Sequence, residues 1–235
     1  VYDVRAGVAS LKGEGITRAI LWPGAGVGGH CLTKDTYHLE RGVQVLGGDL
    51  DYPPGRESLY TLARGINDFM PEHMLRLTES ALGEVGKGLA GSKIALLGWA
   101  FINDSDDARN TPAEPFRDAA LAAGAEVRVH DPWVDPATSP DAPPGLSRDL
   151  EGVLSGADAV VVFAGHKEYR GLVPSEVRRL CGCPHPAVVD GRNVVDPDVW
   201  IGAGVGVPAL IHISEPTGRD PTSDALFCVE KKNQY

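Results

Sequence analysis

Lys93-Ile94-Ala95-Leu96-Leu97-Gly98 is a short apolar run ended by glycine, and downstream of it Thr111-Pro112-Ala113-Glu114 has the composition of a helix start. The run is too short for a helix and reads as a buried strand. Threonine three positions before glutamate, with proline between them, predicts a capping box with proline at the first helical position. The helix predicted over 112–123 stops at Gly124, where a left-handed cap is cheap for glycine. Glu126-Val-Arg-Val-His130 follows as a strand closed by Asp131-Pro132, and Ala157 to Phe163 and Ala187 to Asp190 supply two more, with a helix from Val173 to Leu180 between them. Strands alternating with helices predict a doubly wound parallel sheet, an α/β fold whose ligands sit at the carboxyl ends of the strands. That rule gathers the loop Trp99 to Asn110, the tip after Phe163 with His166, and Asp190-Gly-Arg192 around one crevice.

Upstream the period changes. From Arg56 to about Val85, Leu59, Leu62, Ala63, Ile66, Met70, Met74, Leu75 and Leu77 recur at helical spacing, with Pro71 able to kink the helix or to start a new one. Nothing in the sheet domain requires this stripe for its own burial, so a dimerisation helix and a core helix are both expected readings. Earlier still, Gly24-Ala-Gly-Val-Gly-Gly-His30-Cys31 is followed by Lys34-Asp35. Such glycines leave backbone N–H groups uncovered for a ligand. Cys31 starts a predicted helix running to Glu40, where the positive helix end and Lys34 favour a thiolate. Asp35, four residues on, falls on the same helical face, within reach of a water that attacks whatever the sulfur carries.

The residues 1–90 are thus expected to form a partial helical domain carrying the cysteine loop, and 91–204 the sheet domain. Residues 205–235 lose all periodicity and look like translated sequencing-library adapter, so they are set aside as a non-native tail. The chain opens on Val1-Tyr2 without methionine, and its first residues read as the tail of a helix, so a piece of a longer protein is expected.

At 235 residues, with 43% hydrophobic and 23% charged residues, the composition is that of a globular protein. A formal net charge of −10 argues against a nucleic-acid partner, which needs clustered Lys and Arg. No apolar run reaches the roughly eighteen residues of a membrane helix, so a cytoplasmic protein is expected. Four cysteines without framework spacing fit a reducing compartment. Cys181-Gly-Cys183 with His185 has no second pair, and no metal is expected.

Gly24, Gly26 and Gly29 satisfy G-x-G-x-x-G, but the motif lacks the preceding strand and following apolar helix of a dinucleotide site. Gly98 ends a strand but lacks the other glycines. Taken together, Pro23-Gly-Ala-Gly-Val-Gly-Gly-His-Cys31-Leu-Thr-Lys34-Asp35, the segment Ala63-Arg-Gly-Ile-Asn-Asp-Phe-Met-Pro71, and Leu96-Leu-Gly-Trp-Ala-Phe101 followed by Asp106-Asp-Ala-Arg109-Asn-Thr-Pro112 resemble the UDP-glucose/GDP-mannose dehydrogenase family. The resemblance spans about residues 2–204 and covers the second half of such an enzyme, without its N-terminal NAD domain.

The resemblance implies an NAD-dependent oxidoreductase of polysaccharide biosynthesis that converts the C6 alcohol of a UDP sugar to a carboxylate. It makes Cys31 the nucleophile and Asp35 the residue that positions the hydrolytic water. Lys34 and Arg109 would face NAD, and Leu21, Trp22, Pro23, Gly24 and Gly28 would line the sugar nucleotide, in a homodimer or higher homo-oligomer. Many members carry a lysine where this chain has Ile102, which puts that substrate contact in doubt. Asn103-Asp-Ser-Asp-Asp and Gly-His-Cys resemble the archaeal-type dehydrogenases of N-acetylated sugars, so UDP-N-acetylmannosamine is the expected substrate, with UDP-glucose or UDP-N-acetylglucosamine as alternatives. A cysteine hydrolase would use the same thiolate, but adjacent side chains diverge and His30 is a poor base for Cys31. For the isolated chain, a non-catalytic fragment that binds a UDP sugar and dimerises is the remaining reading.

Overall fold

The computed structural model describes residues 2–10, 22–46 and 58–205. In chain order these form α1 (Tyr2–Ala9), α2 (Cys31–Leu46), α3 (Leu59–Glu84), β1 (Lys93–Leu97), α4 (Ala113–Ala122), β2 (Glu126–His130), α5 (Leu150–Leu154), β3 (Ala159–Val162), α6 (Pro174–Cys181), β4 (Ala187–Asp190) and α7 (Pro197–Gly202). The four strands make one parallel sheet in the order β2-β1-β3-β4. Leu97 lies beside His130 and Val162, and Val162 beside Asp190, so the carboxyl ends of all strands stop on one line.

β1, β3 and β4 are apolar on both faces because both faces are covered, whereas the edge strand β2 leaves Glu126 exposed. Ile94, Leu96, Val161 and Val189 share a core with Phe116 and Ala120 of α4 and with Met74, Ala81 and Leu82 of α3. Ala95, Leu97, Val160, Val162 and Val188 point the other way, to Val153 and Leu154 of α5, Val177 and Cys181 of α6, and Trp200 of α7. Leu96 and Leu97 are fully buried on opposite sides, and truncating either to alanine costs about 2–5 kcal/mol.

Several expectations are corrected here. The sheet does bury part of the α3 stripe: Met74, Ala81 and Leu82 are core residues, whereas Leu59 and Leu62 nearer the amino end are more than half exposed. Pro71 neither ends nor restarts the helix but sits buried inside it. Its missing N–H leaves the Asn67 carbonyl without the usual partner one turn back. A further correction concerns Thr111. Its Oγ1 accepts from the Ala113 N–H at 3.3 Å, and the Glu114 N–H goes to the Thr111 carbonyl, so α4 begins on a threonine turn and not on a reciprocal capping box. The third strand is also shorter than the apolar run, because Ala157 and Asp158 serve the turn before it.

Candidate active site

Cys31 is the first residue of α2, as the sequence predicts, and is exposed. The loop before it is fastened to both of its neighbours. The Val27 N–H donates to Asn67 Oδ1 of α3 at 2.9 Å. The Gly29 N–H donates to the Arg109 carbonyl at 2.7 Å, and the Gly29 carbonyl accepts from Asn110 Nδ2 at 3.0 Å and from Thr33 Oγ1 at 2.5 Å. The glycines are needed for this docking. A Cβ on Gly28 would stand 2.5 Å from the Phe101 Cβ and 2.8 Å from the Asn110 carbonyl oxygen, and one on Gly29, at φ +81°, would stand 2.6 Å from the Phe101 ring. Gly28 and Gly29 are therefore buried against the sheet domain, not held open for a ligand. Gly24 gives the same close approach to Arg192, whose Nη1 lies 2.6 Å from the position of its absent Cβ.

Lys34 and Arg109 both interact electrostatically with the Cys31 sulfur, and Asp35 is paired with Lys34. Lys34 Nζ meets Asp35 Oδ1 at 2.5 Å, with both side chains about half exposed. The hydrogen bond to Asp35 raises the Lys34 pKa, and the Cys31 sulfur adds to the same direction. Arg109 donates from Nε and Nη2 to the two oxygens of Asp107, at 2.7 and 2.5 Å. That fork raises the Arg109 pKa, again with a contribution from Cys31, and holds the Asp107 carboxyl below its usual range. The two cations assigned to one neighbourhood by sequence thus share it with the thiol. Trp22 is exposed with the Arg5 guanidinium 3.5 Å from its ring centroid, Pro23 and Gly24 are half-buried, and Leu21 lies outside the described residues.

The strand ends carry a second layer, whose residues the sequence reading placed at the crevice or at the end of β2 without their bonding. Asp131 is fully buried. Its Oδ2 accepts from the Trp99 and Ala100 N–H groups at 2.7 and 2.8 Å and pairs with His166 Nε2 at 3.2 Å, while Oδ1 accepts from the Trp133 and Val134 N–H groups at 2.8 and 3.0 Å. Burial opposes its charge most strongly, but His166 and the amides outweigh it and bring the pKa down to about 2. His166, expected on the crevice, is buried beneath it; its Nδ1 accepts from the Asp104 N–H at 2.8 Å, which leaves Nε2 as the donor toward Asp131. Asn103 Oδ1 accepts from the Gly165 N–H at 2.7 Å and from Arg192 Nη2 at 3.2 Å, joining the loops after β1, β3 and β4. Asp190 caps the last of these loops through the N–H groups of Arg192, Val194 and Val195. An aspartate at a strand end followed by proline or glycine is the signal that would have found both carboxylates. Ile102 is about half exposed. Cys181 is a core residue whose thiol burial pushes up to about 11, and His185 Nδ1 lies 3.0 Å from the Gly204 carbonyl oxygen.

Residues 95–197 match the UDP binding domain of the UDP-glucose/GDP-mannose dehydrogenase family. The chain is 34% identical to the UDP-N-acetyl-D-mannosamine dehydrogenase of Pyrococcus horikoshii over 186 residues, which cover 78% of this chain and 40% of that protein. It is 29% identical to the UDP-glucose 6-dehydrogenase of Pseudomonas aeruginosa over 226 residues, 90% of this chain and 46% of the relative. The crystal structure of NDP-N-acetyl-D-galactosaminuronic acid dehydrogenase from Methanosarcina mazei Go1 superposes with a TM-score of 0.79 at 59% identity, over 88% of this chain and 43% of that one. The chain spans less than half the length of each of these proteins.

Proposed function

We propose that this chain, whose residues 95–197 belong to the UDP binding domain of the UDP-glucose/GDP-mannose dehydrogenase family, is part of an NAD-dependent nucleotide-sugar 6-dehydrogenase that oxidises the sugar C6 alcohol to a carboxylate. The observation that carries this reading is Cys31: an exposed thiol on the first residue of a helix, its loop fastened to the UDP-binding domain, with Lys34, Asp35 and Arg109 around it.

NAD, when bound, would accept one hydride, so the conversion of an alcohol to an acid, which releases two, would use two NAD molecules in turn. The described residues suit the edge of such a site and not its cradle. Lys34 and Arg109 offer cations to an anionic cofactor, while the glycine that ends β1 at φ +93° packs against Ala164. In this reading Cys31 Sγ adds to the aldehyde carbon and the oxyanion formed takes up a proton. Removal of the second hydride, with loss of the hydroxyl proton to solvent, leaves a thioester on the sulfur, and Asp35 holds the water that hydrolyses it. Asp35 is paired with Lys34, so an approaching water shares that pair. Trp22, Pro23 and Gly24, with Leu21, line the sugar nucleotide in this proposal, whereas Gly28, closed off by Phe101, seats the loop; Cys31 and Asp35 are the catalytic groups.

The favoured sugar is an N-acetylated hexosamine. UDP-N-acetylmannosamine is supported by the similarity to the Pyrococcus horikoshii enzyme. An N-acetylgalactosamine nucleotide is the second reading, favoured by 59% identity to the Methanosarcina mazei dehydrogenase. UDP-glucose is the third. Residues 1–90 and 91–204 are proposed as the helical and UDP-sugar-binding domains. The exposed amino-terminal half of α3 is proposed as a homodimer surface, and the chain alone as a binding and dimerising piece. Unpaired Cys31, Cys181 and Cys183 fit a cytoplasmic compartment, and no described helix is long and apolar enough to cross a membrane.

Calorimetric titration with UDP-N-acetylmannosamine, UDP-N-acetylgalactosamine and UDP-glucose tests the reading. Binding is expected, tightest for an N-acetylated sugar, with no reduced nicotinamide formed by this chain in the presence of NAD. Failure of every UDP sugar to bind at millimolar concentration overturns the reading.

A further inference from the structure

Asn110 is one of the few non-glycine residues with a positive φ, at +49°, and it touches the nucleophile's loop from the sheet domain. A left-handed backbone is uncommon for a residue with a side chain, and asparagine is among the few that tolerate it. The conformation aims Asn110 in two ways at once. Its Nδ2 donates to the Gly29 carbonyl at 3.0 Å, and its own carbonyl oxygen stands 2.8 Å from where a Cβ on Gly28 would be. Next to it, the Arg109 carbonyl takes the Gly29 N–H at 2.7 Å. Gly29 therefore has both of its backbone polar groups held by two consecutive residues of the sheet domain, two positions before Cys31. Arg109 is also the residue whose guanidinium shares the neighbourhood of the sulfur.

We infer that Asn110 is a positioning residue for Cys31: its amide fixes the Gly29 carbonyl, and with it the start of α2 and the placement of the sulfur relative to Arg109. The inference rests on the proposed reading of Cys31 as the nucleophile. The other support of the same carbonyl, Thr33 Oγ1, comes from α2 itself and cannot locate the helix against the sheet domain. Asn110 can, because it belongs to the loop after β1 and is separated from Gly29 by 81 residues.

Two variants isolate the amide. Asn110→Asp keeps the shape and tolerance of a left-handed backbone but turns the donor into an acceptor facing the Gly29 carbonyl. Asn110→Gly keeps the backbone and removes the side chain. Two readouts are made on the whole chain: amide hydrogen exchange of Gly29 through Leu32, and the pH profile of iodoacetamide alkylation of Cys31, with Cys183 in the same sample as reference. Losing one hydrogen bond should speed exchange at Gly29 by about fivefold, equivalent to about 1 kcal/mol at 1.4 kcal/mol per tenfold. The larger change is expected in Asn110→Asp. The Cys31 profile should shift in both variants while the Cys183 profile stays fixed, a pattern that loss of global stability does not produce. Exchange and the Cys31 profile both within twofold of the parent would overturn the inference. A loosened loop together with a parent Cys31 no more reactive than Cys183 would leave Asn110 as the loop's anchor but overturn Cys31 as the nucleophile. Those results distinguish the two failures.

Discussion

Replacing Asp131 with asparagine removes one charge and almost no volume, yet it should be among the most damaging single changes in the chain. The carboxylate takes two N–H groups on each oxygen and the Nε2 of His166 on one of them. Asparagine keeps one acceptor oxygen and points an NH₂ group at the other pair of donors. Whichever way the amide turns, at least two buried N–H groups lose their acceptor, at about 1–3 kcal/mol each, or about 2–6 kcal/mol together. Against a typical total of about 5–15 kcal/mol this is a large fraction. The acid limb supplies an independent check. The folded-state pKa of about 2 is depressed from the usual 3.8, so the charge contributes about 2 kcal/mol of stability above about pH 4. That contribution is lost as the pH falls through about 2. Urea unfolding at pH 7 and at intervals down to pH 3 measures both terms. The variant should be less stable at pH 7 and should lose less on acidification than the parent, with Asp107 and Asp158, also depressed, supplying the slope that remains. A loss below about 1 kcal/mol at pH 7, or an unchanged acid slope, would refute the account of Asp131 as the clamp of the Trp99 turn.

Gly28→Ala should destabilise by about 1–3 kcal/mol and alter Cys31 alkylation, since its methyl meets Phe101 at 2.5 Å. Gly42→Ala in α2, with nothing within 4 Å of the new methyl, should instead stabilise by about 0.5–1 kcal/mol; thermal melts of the pair check the contrast. Cys181, with its thiol near 11, should be only about one part in a thousand ionised at pH 8 and so resist iodoacetamide until the chain is unfolded. Peptide mapping that finds it labelled as fast as Cys31 would contradict the core placement. Leu59→Glu combined with Leu62→Glu should lower the mass seen by sedimentation without moving the unfolding midpoint, because both side chains are largely exposed. A falling midpoint at unchanged mass would argue against a dimer surface on α3.

The sheet was legible because its signals are local. Glycines stop the runs at Gly98 and Gly124, and strands buried on both faces read as unbroken apolar stretches. The start of α2 at Cys31 was legible for the same reason. What escaped was long-range. Whether the α3 stripe would be covered depended on where the sheet lies, and the sheet covers Met74 and Leu82 but not Leu59. The glycines before Cys31 suggested openness, whereas Phe101, far along the chain, fills the space they leave. Thr111 and Glu114 have the spacing of a capping box, but the turn at Asn110 sends the threonine oxygen to Ala113 instead. Asn110 carries no local pattern that distinguishes it from an ordinary turn residue, and for Asp131 the only local signal is its place at a strand end before Pro132. Their distant partners identify them: Gly29 for Asn110, and Trp99, Ala100 and His166 for Asp131.

The bond from Asn110 to Gly29 closes a loop of 81 residues, and this has a consequence for the order in which the molecule assembles. Contacts so far apart in sequence form only after the intervening chain has collapsed, because the entropy of closing the loop comes before any reward from the contact. β1 pairs with β2, and β3 with β4, through shorter loops, with Lys93 beside Glu126 and Ala159 beside Ala187. The thiol therefore takes its final position late, once the β1 loop exists to receive it. During synthesis, Cys31 emerges well ahead of Asn110, so for that interval the cysteine is an ordinary exposed thiol in an unfinished chain, with Arg109 not yet beside it.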